Sequence, residues 1–185
     1  MSALSGAGLL PPDQASAYVS ALLGLLGSRD PMIVLQDTPS ALRATVERLT
    51  QAQLDEREAP GKWSSRMVVQ HLADSELVGA FRLRMILAEN RPPILPYDQD
   101  RWAEGLHYQD ADVSEALDQF AVLRRVNLKL WIGTSVSDLS RVGIHGERGE
   151  ESLERMRRLY AGHDLAHLRQ LERICSHLPG RRAVP

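Results

Sequence analysis

Apolar residues recur at steps of three and four along most of the chain, which is the spacing that places them on one face of an α-helix. No run of alternating apolar and polar residues is long enough to indicate a strand convincingly. The pattern therefore predicts an all-α protein built as a helical bundle.

Helix boundaries follow from capping residues, prolines and glycines. Asp, Ser and Thr precede several apolar stripes, where their side chains can accept hydrogen bonds from the first free amide groups. Pro31 and Pro39 each follow such a residue, so the second predicted helix is either kinked or restarted. Ser114 is the predicted cap of the helix that ends at Gly133. The predicted helices span approximately residues 13–26, 30–50, 64–90, 114–133 and 152–178.

One long segment lacks a helical stripe. Residues 91–112, "RPPILPYDQDRWAEGLHYQDAD", carry three prolines, so we predict a long crossover loop between the second and third long helices, those at 64–90 and 114–133. Loops of this length often carry function. We expect residues 1–12 to be a flexible N-terminus, residues 13–178 to form one helical domain and residues 179–185 to be a disordered tail.

Composition and charge exclude several classes of protein. The chain has 185 residues, 43% of them hydrophobic, which is enough for one substantial core. Its net charge of -2 and its scattered basic residues provide no source for the attraction that drives nucleic-acid binding. The longest apolar runs are about half the roughly 20 residues of a membrane-spanning helix. The stretch "MSALSGAGLLPPD" lacks the features of a secretory signal, so we expect a cytoplasmic protein. From the charge and the short apolar runs, we expect neither nucleic-acid nor membrane partners.

The last predicted helix carries two histidines on its apolar face. His163 and His167 lie four residues apart, so their rings can bind the same divalent ion. A single cysteine excludes a thiolate-rich metal site, which leaves nitrogen and oxygen ligands. A buried imidazole nitrogen without a partner costs about 1–3 kcal/mol. Either a metal ion or hydrogen bonds in the core would satisfy it. The inward stripe reads Leu153, Met156, Tyr160, His163, His167, Leu171, Ile174 and Leu178.

A third histidine lies on the apolar side of the helix at residues 64–90. His71, in "MVVQHLADSE", can converge with the other two in the core of a bundle. Three nitrogen ligands leave coordination positions open, which is typical of catalytic rather than structural zinc. Asp74 could orient a ligand or form a salt bridge. Arg82, eleven residues after His71, could bind an anionic substrate or extend to the rim.

Two motifs give the chain a resemblance to a known family. The segments "GKWSSRMVVQHLADSE" and "HDLAHLRQL" closely resemble the DinB-like superfamily, which includes the YfiT-type metalloenzymes, over roughly residues 15–178. His71, His163 and His167 match the three histidines of that family's metal site. The resemblance implies a four-helix bundle, one divalent metal ion, commonly zinc or nickel, and a homodimer.

The resemblance leaves the reaction open. Some members of the family transfer low-molecular-weight thiols such as bacillithiol or mycothiol to electrophiles, and others resemble a mycothiol-dependent maleylpyruvate isomerase. Our first hypothesis is a metal-dependent thiol transferase, whose partners are a small thiol and an electrophile. The alternatives are a metal-dependent hydrolase, with water as the nucleophile, and a noncatalytic stress-response bundle that the metal only stabilises.

Overall fold

The computed structural model describes residues 12–177, with side chains from residue 14. The predicted flexible N-terminus, the predicted tail, Leu178 and the side chain of Asp13 lie outside that range. The helices are α1 (Pro12–Leu26), α2 (Pro31–Val46), α3 (Gln51–Asp55), α4 (Ser65–Ala88), α5 (Gln99–Gly105), α6 (Val113–Gly133), α7 (Val136–Leu139) and α8 (Leu153–His177). The strands are β1 (Pro93–Ile94), β2 (Val142–His145) and β3 (Gly149–Ser152).

The long helices begin at capping side chains. Asp30 accepts a hydrogen bond from the amide of Met32, as the sequence predicted. Of the two serines that could cap α4, Ser64 and Ser65, it is Ser64 that accepts a hydrogen bond, from the amide of Met67. The predicted cap Ser114 is wrong, because Asp112 accepts hydrogen bonds from two amides and α6 begins one residue earlier. Both residue types cap well, so the sequence alone does not choose between two sites this close.

The second predicted helix, at residues 30–50, is one helix that ends earlier than predicted. The hydroxyl of Thr38 donates to the carbonyl of Val34 inside α2, so this residue is not a cap and α2 continues through Pro39. The helix ends at Val46, and Thr50 then caps the short α3 through a reciprocal pair of hydrogen bonds with Gln53. The predicted end near residue 50 is therefore the start of another element.

Four helices enclose the core. Helix α2 packs on α6 and α8, α4 packs on the same two helices, and α1 covers the outside of α8. Asp74 bonds to Gln119 and Arg84 to Asn127, so α4 and α6 run parallel and need a long crossover between them. The all-α four-helix bundle with that crossover is confirmed. Its largest apolar cluster includes Leu42, Val68, Leu72, Phe120 and Leu171.

The crossover is more structured than the sequence indicated. It contains β1, α5 and a 3-10 turn at Tyr108–Asp110, although no helix or strand was predicted there. Strand β1 pairs in parallel with β2, and β2 pairs antiparallel with β3, so that Val142 lies opposite Ser152. Elements of two to seven residues are too short to produce a periodic pattern, which explains why the sequence analysis missed them.

Within residues 12–177, no single helix is both long and apolar enough to cross a bilayer. The segments Gln14–Leu26 and Pro31–Val46 pass the same test of length and composition only as a pair, bent by 86°.

Candidate metal centre

The three predicted histidines meet between α4 and α8. His71 comes from the second turn of α4, and His163 and His167 from successive turns of α8. The Nε2 atom of His163 lies 3.1 Å from Nε2 of His71 and 3.1 Å from Nε2 of His167. One ring nitrogen from each residue lies within 4.8 Å of the others. The structure thus brings together side chains that are 92 residues apart in sequence.

These distances fit a divalent metal ion. Nitrogen ligands about 2.0–2.1 Å from a tetrahedral zinc ion are separated by about 3.3 Å along each edge, close to the observed spacing. When three imidazole lone pairs face one another, the rings have no N–H donor for each lone pair. A cation would accept all three lone pairs. In the described part of the chain, the group contains no carboxylate or thiol.

Neighbouring residues orient two of the rings. The Nδ1 atom of His167 lies 2.8 Å from Oε1 of Gln170, so Nδ1–H donates to the amide oxygen and leaves Nε2 free as a ligand. The ring of Trp63 packs 4.9 Å from that of His71 and limits its rotation. The Nδ1 atom of His71 is buried and has no hydrogen-bond partner among the described residues.

All three imidazoles are held in the neutral form. Burial, together with the neighbouring His167, lowers the pKa of His71 well below its usual value. Burial also lowers the pKa of His163, where His167, His71 and Arg124 act in the same direction. Burial lowers the pKa of His167 to about 4, although Gln170 and Asp164 oppose the shift. Since only the neutral ring has a lone pair to donate, the three residues are ready to bind a metal at neutral pH.

The three histidines differ in exposure. His71 and His167 are 1% and 3% exposed, whereas His163 is only partly buried. Three protein ligands are one fewer than a closed structural zinc site uses, so the number of histidines fits a site with an exchangeable coordination position.

Asp74 lies beside the centre in a network of its own. Its Oδ2 atom accepts a hydrogen bond of 2.6 Å from the hydroxyl of Tyr108. Its Oδ1 atom accepts longer ones from Gln70, at 3.3 Å, and Gln119, at 3.4 Å. The carboxylate is thus oriented by the crossover and by α6, and its predicted catalytic role stays a prediction.

Arg82 does not extend to the rim. Its side chain is 8% exposed, and its guanidinium donates to the carbonyl of Leu95 at 2.6 Å and lies 5.9 Å from the ring centroid of Tyr97. The residue therefore faces the crossover from the inside of the fold. Its predicted role in substrate binding stays a prediction.

A second buried polar cluster was not predicted from the sequence. Arg124 of α6 binds Asp164 through two hydrogen bonds, Glu76 through a third and the carbonyl of Leu35 through a fourth. Asn127 donates to the other oxygen of Glu76. We call these residues the Arg124 cluster. Its members come from all four bundle helices, and the one available signal was a charged residue on a predicted apolar face.

Comparisons with known proteins agree with this architecture. A protein from Oceanobacillus iheyensis, provisionally named a metal-dependent hydrolase, is 33% identical over 141 residues, which cover 76% of this chain and 81% of that protein. A Bacillus cereus protein with the same provisional name is 32% identical over 133 residues, covering 72% of this chain and 76% of its own.

The fold also matches a solved structure. YfiT from Bacillus subtilis, described as a probable metal-dependent hydrolase with an unusual four-helix bundle topology, superposes with a TM-score of 0.70. It is 27% identical to this chain, and the match covers 93% of each protein. The sequence profile of the DinB superfamily matches residues 35–171, a range that contains all three histidines. The chain belongs to the DinB superfamily.

Proposed function

We propose that the protein is a metal-dependent hydrolase in which His71, His163 and His167 hold one divalent ion, zinc or nickel. The observation that carries the proposal is the convergence of three neutral imidazoles, one of them partly exposed. The provisional names of the relatives and of YfiT support the same class of reaction. A divalent metal supplies Lewis acidity, which lowers the pKa of a coordinated water or thiol and makes it a nucleophile at neutral pH.

The residues around the histidines support this chemistry in distinct ways. Gln170 fixes the tautomer of His167, which keeps Nε2 unprotonated. Burial keeps His71 and His163 from taking up protons. Asp74 follows His71 by one turn of α4, so we propose it as the group that accepts a proton from an attacking water.

Transfer of a small thiol to an electrophile is the second candidate, and one observation favours it. Both oxygens of Asp74 already accept hydrogen bonds, so neither is left free for an attacking water. Two further buried carboxylates, Asp164 and Glu76, are bound by Arg124. A thiol needs no strong base, because its own pKa is low enough for a metal to ionise it.

The substitution Asp74→Asn separates the two candidates. It keeps the shape and most hydrogen bonds of the side chain but removes a proton acceptor. If the protein is a hydrolase, we expect turnover of an ester or amide, without added thiol, to fall by about 100-fold or more. If it transfers thiols, turnover should depend on an added thiol and change little in this variant.

A spectroscopic experiment tests the thiol directly. A cobalt-loaded sample is titrated with glutathione, bacillithiol, mycothiol and coenzyme A, and the matching thiol should produce a sulfur-to-cobalt charge-transfer band. His163→Ala should abolish that band. A panel without any spectral change, combined with metal-dependent hydrolysis, would reject thiol transfer and support the hydrolase.

A further inference from the structure

Arg82 lies in a buried aromatic setting three turns of α4 beyond His71. It packs over the ring of Tyr97, and its hydrogen bond with Tyr160 opposes the rise that burial causes in the pKa of that phenol. Tyr160 precedes His163 by one turn of α8, and Ser75, beside Tyr97, follows His71 by one turn of α4. The contacts of Arg82 therefore lead to positions one helical turn from two of the three histidines.

The charge of Arg82 has no carboxylate partner in the part of the chain from residue 14 to 177. None of the ion pairs within that range includes it, and its hydrogen bonds go to two neutral groups, the carbonyl of Leu95 and the phenol of Tyr160. Glu151, which is also buried nearby, binds Arg148 through both oxygens. A buried cation without a counterion is unfavourable, so an anion from outside the chain would stabilise it.

The tyrosines on this side of the fold are packed but not fully enclosed. Tyr18, Tyr97 and Tyr160 each keep some solvent exposure, yet burial raises the pKa of all three phenols, that of Tyr18 to about 12. Gly79 permits this arrangement, because a Cβ there would lie 2.6 Å from the ring of Tyr160.

We propose that Arg82, with Tyr97 and Tyr160, binds the carboxylate of a small-molecule substrate whose reacting group lies at the three histidines. The inference rests on the proposed function and specifies its substrate class. A single guanidinium among phenols balances one negative charge, which favours a carboxylate over a doubly charged phosphate. The eleven residues from His71 to Arg82 rise about 16 Å along α4, so the substrate is elongated, with its acid group at one end.

Binding of a simple acid tests this site without any reaction. Butanoate is titrated into the metal-free protein at pH 7, and its neutral analogue butanamide serves as the control ligand. Butanoate should raise the melting temperature in a concentration-dependent way, and butanamide should not. The metal-free form is used because a carboxylate can also coordinate a metal directly.

Three variants identify the residue responsible. Arg82→Gln should weaken butanoate binding by about thirtyfold or more and should melt at the same or a higher temperature without ligand, because it removes an uncompensated buried charge. Tyr160→Phe should weaken binding less. Arg125→Gln, which removes a charge from the exposed face of α6, should bind butanoate as the parent protein does.

The possible results separate this inference from the proposed function. Butanoate binding that depends on Arg82 supports the carboxylate site even if no metal-dependent turnover is found. The carboxylate site would be overturned if butanoate bound the parent protein and Arg82→Gln equally well, or if butanamide bound as well as butanoate. It would also be overturned if butanoate bound only after metal loading and Arg82→Gln did not weaken that binding.

Discussion

Two buried polar clusters join the bundle helices, and they differ in how their charges are balanced. In the Arg124 cluster, burial lowers the pKa of the guanidinium, but Asp164 and Glu76 more than compensate and the net shift is upward. In the three-histidine cluster Asp164 opposes the shift only at His167, burial outweighs it, and the pKa of every ring falls. The first cluster is complete within the chain, whereas in the proposed function the second is completed by a cation from outside.

The difference indicates separate tasks for two adjacent regions. Asp164 follows His163 directly, so the Arg124 cluster holds the same turn of α8 that presents a proposed metal ligand. A preorganised binding site requires ligands on a rigid backbone. Here the Arg124 cluster, whose hydrogen bonds are satisfied, fixes the backbone beside the histidines, whose lone pairs are not. Four experiments would break or sharpen this comparison, and the expected effects decrease from the first to the fourth.

Breaking the Arg124 cluster should have the largest effect. Arg124→Met leaves Glu76 and Asp164 buried without a counterion, so we expect the free energy of unfolding to fall by about 3–5 kcal/mol. Urea denaturation measures the loss. Arg43→Met removes two exposed ion pairs, with Glu47 and Asp118, and should cost less than about 1 kcal/mol. Similar losses in the two variants would show that the buried cluster does not organise the bundle.

Acid should destabilise the metal-free protein through the histidines. The pKa of His167 is lowered to about 4 in the folded chain and is about 6.5 in the unfolded chain, so protons bind the unfolded chain first. Stability is therefore complete above pH 6.5 and is lost as the pH falls towards 4, by about 3 kcal/mol for this residue. Urea midpoints across this range measure the loss, and His167→Gln should flatten the profile. An unchanged profile would contradict the assigned shift.

Removing one histidine should weaken metal binding while the fold is kept. His163→Ala deletes one of three ligands, and we expect the affinity for zinc to fall by about 100-fold or more. His71→Ala and His167→Ala should behave alike, and His177→Ala, on the exposed end of α8, serves as the control. Metal-to-protein ratios after dialysis against a chelator provide the measurement. Equal ratios in all four variants would rule out the site.

The smallest expected effect comes from the residue behind the ligands. Gln170→Ala removes the acceptor for Nδ1–H of His167 and should lower zinc affinity by about tenfold, with little change in melting temperature. Gln170→Glu keeps an acceptor and should restore most of the affinity. If the alanine variant binds zinc as tightly as the parent protein, the hydrogen bond does not tune the ligand.

Helical periodicity was enough to predict the candidate site but not its surroundings. His163 and His167 share a stripe with Leu153 and Leu171, and the same pattern places His71 inward on α4, so local spacing contained the information. The Arg124 cluster was not predictable in this way. Its hydrogen bonds join residues 40 to 89 positions apart, and no local pattern specifies which buried charges will meet.

The crossover illustrates the same limit. Its three prolines indicated a loop. They did not predict that Tyr108 contacts α4 or that Ile94 packs in the bundle core. Short elements in this segment are stabilised by packing against the long helices rather than by their own propensity. The role of Tyr108 in orienting Asp74 therefore became visible only in the structure.

The parallel arrangement of α4 and α6 has a consequence for how fast the protein folds. Antiparallel neighbours in a bundle can pair as soon as a short turn forms, but here contacts between the two helices link residues 43 and 45 positions apart. Closing a long loop before those contacts form costs chain entropy and raises the mean sequence separation of contacts. We expect this bundle to fold more slowly than an up-and-down bundle of equal length, with His71 joining His163 and His167 only after the crossover has closed.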